Sequence, residues 1–152
     1  MDFAARRRSG YLEALEARGL KPAPELMFSA EMTEGQGYAA ASAMLALPEP
    51  PAAFLASSMI SGIGVRRAVE ERGLKLGKDV SIIIHDDELG YLKNGAEVPL
   101  FTATRSSVRE AGRLAADMLL AQIAEPASEP QTRLLECDLI IGQSTGPAPA
   151  RT

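Results

Sequence analysis

The stretch Asp-Val-Ser-Ile-Ile-Ile-His-Asp-Asp at residues 79–87 decides how this chain of 152 residues folds. Its apolar residues are almost all β-branched, which predicts a strand over residues 79–84. Because this strand lacks polar alternation, we expect both of its faces to be buried, as in a parallel sheet. Two carboxylates, Asp86 and Asp87, follow directly. They stand at the carboxyl end of the strand, where open parallel sheets bind their ligands.

Strand and helix signals alternate on both sides of this stretch. Short apolar or alternating runs predict further strands over residues 25–30, 52–56, 101–104 and 135–141, with 52–56 buried in a parallel sheet. Helical spacing predicts helices over residues 2–18, from 33 to just before Pro48, from Ser57 or Ser58 to 72, and from 107 to about 123. This order predicts an α/β fold, a parallel sheet with helices on both faces.

Local end signals support these helices. Thr33 with Gln36, and Ser107 with Glu110, fit the capping-box pattern at a helix N-terminus. Gly19 and Gly73 supply the left-handed residue that ends many helices; both follow a predicted helix. The long polar connection over residues 85–100 is of the length often found in functional or mobile loops.

Composition excludes several classes of function. The net charge is −4 and the isoelectric point about 5.1, so these residues are not expected to contact DNA phosphates themselves. The run at residues 6–8, Arg-Arg-Arg, is short and is expected to form a solvated helix face. The lone Cys137 suits a reducing cytoplasm, and neither a membrane span nor a secretory signal is visible.

A series of short motifs runs through nearly the whole chain. It comprises Arg-Arg-Ser-Gly-Tyr at 7–11, Ala-Ala-Phe-Leu-Ala-Ser-Ser at 52–58, Arg-Gly-Leu at 72–74, Gly-Lys-Asp-Val-Ser-Ile at 77–82, His-Asp-Asp at 85–87, Pro-Leu-Phe-Thr-Ala-Thr at 99–104 and Ser-Thr-Gly-Pro at 144–147. In order and spacing the series resembles the sensor core of the lactose-repressor (LacI/GalR) family of bacterial transcriptional regulators.

The resemblance implies a periplasmic-binding-protein-like (type I) fold of two subdomains, with a small effector bound in the cleft between them. It implies that residues 1–105 belong to the second subdomain, that 106–136 cross to the first, and that 137–152 form a returning strand and tail. The DNA-binding helix-turn-helix domain and most of the first subdomain would lie outside this sequence.

The resemblance also implies candidate ligand-binding residues. Arg7 matches the family's effector-binding arginine and Asp86 its cleft aspartate; the alternatives are a surface arginine and a loop-capping carboxylate. Ser58 stands where many relatives have asparagine. An N-cap role is an equal alternative, and a register shift of one residue would favour Ser57. Met32 and Ser106 could line the cleft, but core packing and loop polarity are the stronger explanations of these two residues.

These residues favour one function over two alternatives. The resemblance implies a homodimeric, cytoplasmic regulator that binds a small effector, a sugar above all, and reaches operator DNA only through the absent N-terminal domain. A solute-binding protein of a sugar transport system would share the fold, but lacks support from a signal peptide. We expect no enzyme and no cofactor. His85 is the only histidine, so no metal-ligand set is visible, and Ser144 lacks a nucleophile-elbow motif.

Overall fold

The computed structural model describes residues 2–88 and 92–148, and its elements follow the predicted alternation closely. The helices are α1 (Asp2–Glu16), α2 (Glu34–Met44), α3 (Met59–Glu71) and α4 (Val108–Ala124). The strands are β1 (Ala53–Ala56), β2 (Ser81–Asp86), β3 (Thr102–Arg105) and β4 (Asp138–Ile140).

The predicted N-caps and the helix end at Gly73 are confirmed, whereas α1 and α2 end two to three residues before the predicted positions. Thr33 is the N-cap of α2, where its hydroxyl accepts a hydrogen bond from the backbone N–H of Gln36 at 3.2 Å. Ser58 and Ser107 cap α3 and α4 in the same way, with their hydroxyls accepting from the third residue on. Each such cap stabilises its helix by about 1 kcal/mol. Gly73 follows α3 with a φ of 72°, a conformation that favours glycine.

Within the described residues, the strands form one sheet in the order β1-β2-β3-β4. β1, β2 and β3 are parallel, whereas β4 returns antiparallel to β3. Ile84 stands between Ala56 of β1 and Ala103 of β3. The predicted parallel α/β sheet is therefore confirmed, with an antiparallel strand added at one edge.

The core lies on one face of this sheet, under α3. Ile82 and Ile84 of β2 have no exposed surface and pack with Phe101 and with Val65 and Ala68 of α3. Burying one such isoleucine stabilises the fold by about 1.5–3 kcal/mol. In turn, α2 packs on α3 so closely that a Cβ added at Gly64 would lie 2.0 Å from the carbonyl oxygen of Glu34.

The expectation that β1 and β2 are buried on both faces is wrong. In β1 the alternate residue Leu55 is 63% exposed, and in β2 Ile83 is only partly buried. The reason is that the buried contacts come from α3 on one side. Neither α1 nor α4 contributes a buried residue within the described part of their lengths. β1 is parallel, as predicted, but is an edge strand of the sheet.

The predicted strand over residues 25–30 is also wrong. The chain forms a 3-10 turn at Pro24–Leu26 and then runs without regular structure to Ala30. A strand exists only where a neighbour pairs with its backbone groups. No described strand pairs with these residues, so their apolar pattern does not produce a strand.

No helix within the described residues is long and apolar enough to span a membrane.

The connection after β2 is partly ordered by a side chain. Asn94 donates to the carbonyl oxygen of Phe101 and accepts from its N–H, both at 2.8 Å. The tail is held similarly: the hydroxyl of Ser144 accepts from the N–H of Thr102 at 2.8 Å and donates to the carbonyl of Ile82. Ser144 is thus a buried structural residue. Residue 1, residues 89–91 of the connection and residues 149–152 of the tail lie outside the described residues.

Candidate functional site

Three parallel strands end at the same edge of the sheet, and the predicted polar residues collect there. Ser57 and Ser58 follow β1, Asp86 ends β2, and Ser106 follows β3. The backbone N–H of Ser106 donates to the carbonyl oxygen of Asp86 at 3.2 Å, which extends the β2–β3 ladder by one residue. We call the loops and side chains at this end the carboxyl edge.

Arg7 reaches the carboxyl edge from α1. Its Nη1 donates to the carbonyl oxygen of Ser57 at 2.9 Å, and its guanidinium carbon lies 5.1 Å from the centre of the Phe3 ring. Arg6, Arg7 and Arg8 are all exposed, in line with the solvated face expected for this run. Helix α1 therefore brings a cationic group, with several N–H donors in a rigid plane, to the end of β1.

Asp86 is partly buried at the end of β2. Its Oδ1 accepts a hydrogen bond from the N–H of Glu88 at 3.1 Å, so the loop-capping alternative describes a real contact. Glu88 has a φ of 55°, and its carboxylate lies 3.5 Å from Arg105 at the end of β3. A carboxylate can accept several hydrogen bonds, so the capping contact leaves acceptor capacity on Asp86 at this edge.

Ser58 serves as a helix cap. Its hydroxyl accepts from the N–H of Ser61 at 3.3 Å and also donates to the hydroxyl of Ser61 at 3.1 Å. The N-cap alternative is therefore present in the structure. Ser57, the residue favoured by a shifted register, is more exposed and contributes its backbone carbonyl to Arg7.

Met32 does not pack in the core, because its side chain is 43% exposed. It lies just before Thr33, the N-cap of α2, and α2 begins beside the first turns of α3: a Cβ on Gly37 would meet the carbonyl of Ser61. Met32 is thus at the same end of the layer as Ser58. Within the part of the chain that the structure describes, no contact joins Met32 to Arg7 or Asp86.

His85 is a residue of the carboxyl edge that sequence reasoning missed. Its Nδ1 lies 3.1 Å from the hydroxyl of Thr104 and its Nε2 lies 3.3 Å from the hydroxyl of Ser106. Burial lowers the pKa of His85, and the nearby charge of Arg7 lowers it further, while Asp87 and Asp86 act in the opposite direction. The overlooked signal was position: a polar ring stands between buried Ile84 and the strand-end Asp86.

The carboxyl edge combines a guanidinium, carboxylates, hydroxyls and an imidazole, all near polar backbone. Such a set offers both donors and acceptors of hydrogen bonds at one edge of the sheet. The described residues contain no cluster of three or more His, Cys, Asp or Glu side chains that could hold a metal ion. Beside it, Glu88, Arg105 and Ser107 line a hollow of about 180 Å³, below the roughly 300–1,000 Å³ of a complete small-molecule site.

Comparison with known proteins identifies the family to which this chain belongs. Residues 2–145 match the periplasmic binding protein-like domain, and the chain belongs to that family. The type I fold implied by the sequence is thereby confirmed.

Within this family, the relatives of similar sequence are transcriptional regulators. The chain is 40% identical to the HTH-type transcriptional regulator AglR of Rhizobium meliloti (strain 1021), over 100% of this chain and 43% of that protein. It is 32% identical to the repressor CytR of Escherichia coli (strain K12), over 94% of this chain and 41% of that protein. The predicted relation to LacI-type regulators is confirmed, and the chain spans less than half the length of these relatives.

Solved structures agree. The transcriptional regulator CelR in its cellobiose complex superposes with a TM-score of 0.79 at 28% identity, over 92% of this chain and 42% of that one. A LacI-family regulatory protein from Chloroflexus aggregans superposes with a TM-score of 0.78 at 32% identity, over 92% and 50% of the two chains. The chain is accordingly a part of a LacI-type sensor domain.

Proposed function

We propose that this chain forms one wall of an effector cleft, and that occupancy of the cleft controls operator binding by a helix-turn-helix domain elsewhere in the protein. The observation that carries the proposal is the meeting of Arg7, Asp86 and Ser106 at one edge of the sheet. These residues come from three separate parts of the sequence. The hollow beside them is open and small, as expected of one wall of a cleft whose other wall is formed by a second subdomain.

A hydroxyl-rich sugar is the effector class that best fits this edge. Arg7 offers paired N–H donors, and Asp86 offers a carboxylate that accepts from hydroxyl groups. Two regulators of similar fold support this choice, since their structures are described with cellobiose and with bound ribose. Ser58 and Met32 are proposed to lie on the rim of the same cleft. We place this regulator in the cytoplasm, where operator DNA is found.

The pattern of burial supports the proposed subdomain division. Residues 1–105 contain the packed layer, whereas α4, at the start of the proposed crossing segment 106–136, buries no residue. Its exposed apolar residues include Leu119, Leu120 and Ile123, each more than 60% exposed. We propose that the first subdomain covers this face and that residues 137–152 return to the second. A homodimer is part of the proposal.

Replacing Arg7 or Asp86 tests the site. We expect Arg7→Ala and Asp86→Ala, made in the natural gene product that contains this chain, to weaken sugar binding at least about tenfold, because each removes a hydrogen bond to a charged group worth about 1.5–3 kcal/mol. The sugar is chosen from a panel including cellobiose and ribose as the one that raises the melting temperature most, and its affinity is measured by calorimetry.

Matched variants control for charge. Arg8→Ala removes a neighbouring exposed arginine of α1, and Glu129→Gln removes an exposed carboxylate of the linker after α4. Both should bind the sugar as the parent does. Unchanged affinity in Arg7→Ala and Asp86→Ala would refute the assignment of the site.

A further inference from the structure

His85 joins two strands of the carboxyl edge through both nitrogens of its ring. Nδ1 contacts the hydroxyl of Thr104, and Nε2 contacts the hydroxyl of Ser106. His85 and Thr104 are also direct partners in the β2–β3 register. The ring therefore stands on the sheet face opposite the core, with Ser106 beyond it at the strand end.

The hydroxyl groups of Thr104 and Ser106, which both contact the ring of His85, differ in how firmly their own residues are attached to the sheet. Thr104 lies inside β3, where the ladder orients its backbone. Ser106 lies one residue past β3 and is tied to the sheet by a single backbone hydrogen bond, from its N–H to Asp86. A serine hydroxyl rotates freely between donating and accepting. The orientation of the Ser106 hydroxyl consequently depends on its contact with Nε2 of His85.

We propose that His85 is a positioning residue for effector specificity: its Nε2 holds the Ser106 hydroxyl in one orientation, and so decides whether Ser106 donates to or accepts from the bound molecule. The inference rests on the proposed function, that is, on sugar binding at the carboxyl edge. The charged groups around the ring are Arg7 from α1 and Asp86 and Asp87 from its own strand end.

The charge state of the ring suits this role. Burial and Arg7 lower the pKa of His85, which favours the neutral ring. A neutral imidazole has one donor and one acceptor nitrogen, and so gives Thr104 and Ser106 opposite roles, whereas an imidazolium would donate to both.

Two substitutions of His85 test the contact made by Nδ1 and the contact made by Nε2 independently. Asparagine carries its polar atoms near the position of Nδ1, and glutamine carries them near the position of Nε2. His85→Gln can thus retain the contact with Ser106, whereas His85→Asn retains only the contact with Thr104. Both are polar and of similar size, so each serves as the folding control for the other, verified by equal melting temperatures without sugar.

The binding experiment uses the sugar selected above and the same full-length protein. We expect His85→Asn to lose about tenfold in affinity and His85→Gln to remain within about threefold of the parent. Ser106→Ala should lose affinity as well. The double variant His85→Asn/Ser106→Ala should bind no more weakly than Ser106→Ala alone, because the first substitution acts only through the second residue.

A measurement without ligand tests the contact itself. In the full-length protein, the two ring-nitrogen NMR signals that disappear in His85→Gln are those of His85. Ser106→Ala should shift the signal of Nε2, and the signal of Nδ1 moves with it where the tautomer changes. A signal of Nε2 that does not move in Ser106→Ala would overturn the proposed contact.

The outcomes separate this inference from the proposed function. Equal losses in His85→Asn and His85→Gln, or additive losses in the double variant, overturn the positioning role while Arg7→Ala still reports the site. Parent-like binding in Arg7→Ala and Asp86→Ala rejects the site itself. A panel in which no sugar raises the melting temperature rejects the sugar effector, and the role of His85 falls with it.

Discussion

Helices α3 and α4 begin with the same signal but differ in how they pack. Each follows a serine whose hydroxyl accepts a backbone hydrogen bond from the third residue on. Over 13 residues α3 buries six, whereas α4 buries none over 17. The apolar stripe of α4, which includes Leu119, Leu120 and Ile123, remains exposed among the described residues. Amphipathic spacing thus predicts that a helix forms and which face is apolar, but not what covers that face.

The largest expected effect comes from truncating the core under α3. Ile84→Ala should lower the free energy of unfolding by about 2–5 kcal/mol, because it leaves a cavity between β2 and α3. Leu120→Ala on the exposed face of α4 should change it by no more than about 0.5 kcal/mol in this chain. Urea unfolding followed by circular dichroism measures both. Similar decreases in the free energy of unfolding in the two variants would mean that the apolar face of α4 is buried in solution.

Glycine-to-alanine substitutions in α3 and α4 should change the free energy of unfolding in opposite directions. In α3, Gly64→Ala forces a methyl group against the backbone of α2 at Glu34 and Tyr38, and should destabilise by about 1–3 kcal/mol. In α4, Gly112 has nothing within 4 Å of an added Cβ, so Gly112→Ala should stabilise by about 0.4–1 kcal/mol through the unfolded state. Thermal unfolding of both variants decides this. A stabilising Gly64→Ala would contradict the close helix contact.

The smallest expected effect is a pH dependence at the carboxyl edge. Because the folded-state pKa of His85 is lowered, the unfolded state binds the extra proton more readily. The contribution of His85 to stability is therefore full above the unfolded pKa of about 6.5 and is lost as pH falls through the folded value. The difference in stability between the parent and His85→Gln should shrink as pH falls from 7 towards 5. A difference independent of pH would contradict the lowered pKa.

Much of the fold could be predicted from the sequence because its signals are local. The caps at Thr33, Ser58 and Ser107, and the helix end at Gly73, each depend on residues within one turn. The strand-end position of Asp86 was predicted by the same local reasoning. The failed strand at residues 25–30 shows the limit, since a strand needs a partner that its own residues do not specify.

The candidate site was predicted only in part. The resemblance indicated Arg7, Asp86 and Ser106, and the structure brings these to one edge. It also shows Ser58 occupied in capping, and Met32 exposed with no described contact to the other site residues. The contacts of His85 with Thr104 and Ser106 were not foreseen. They depend on the register between β2 and β3, which joins residues about 20 positions apart.

The helix N-termini, most of the order of helices and strands, and the relation to LacI-type regulators could be predicted from the amino-acid sequence, because capping, turn chemistry and motif order are properties of neighbouring residues. Three features emerge only in the folded chain: which faces are buried, the antiparallel direction of β4, and the link from Thr104 through His85 to Ser106. Those features depend on strand register and helix packing, in which residues distant along the chain compete for the same contacts.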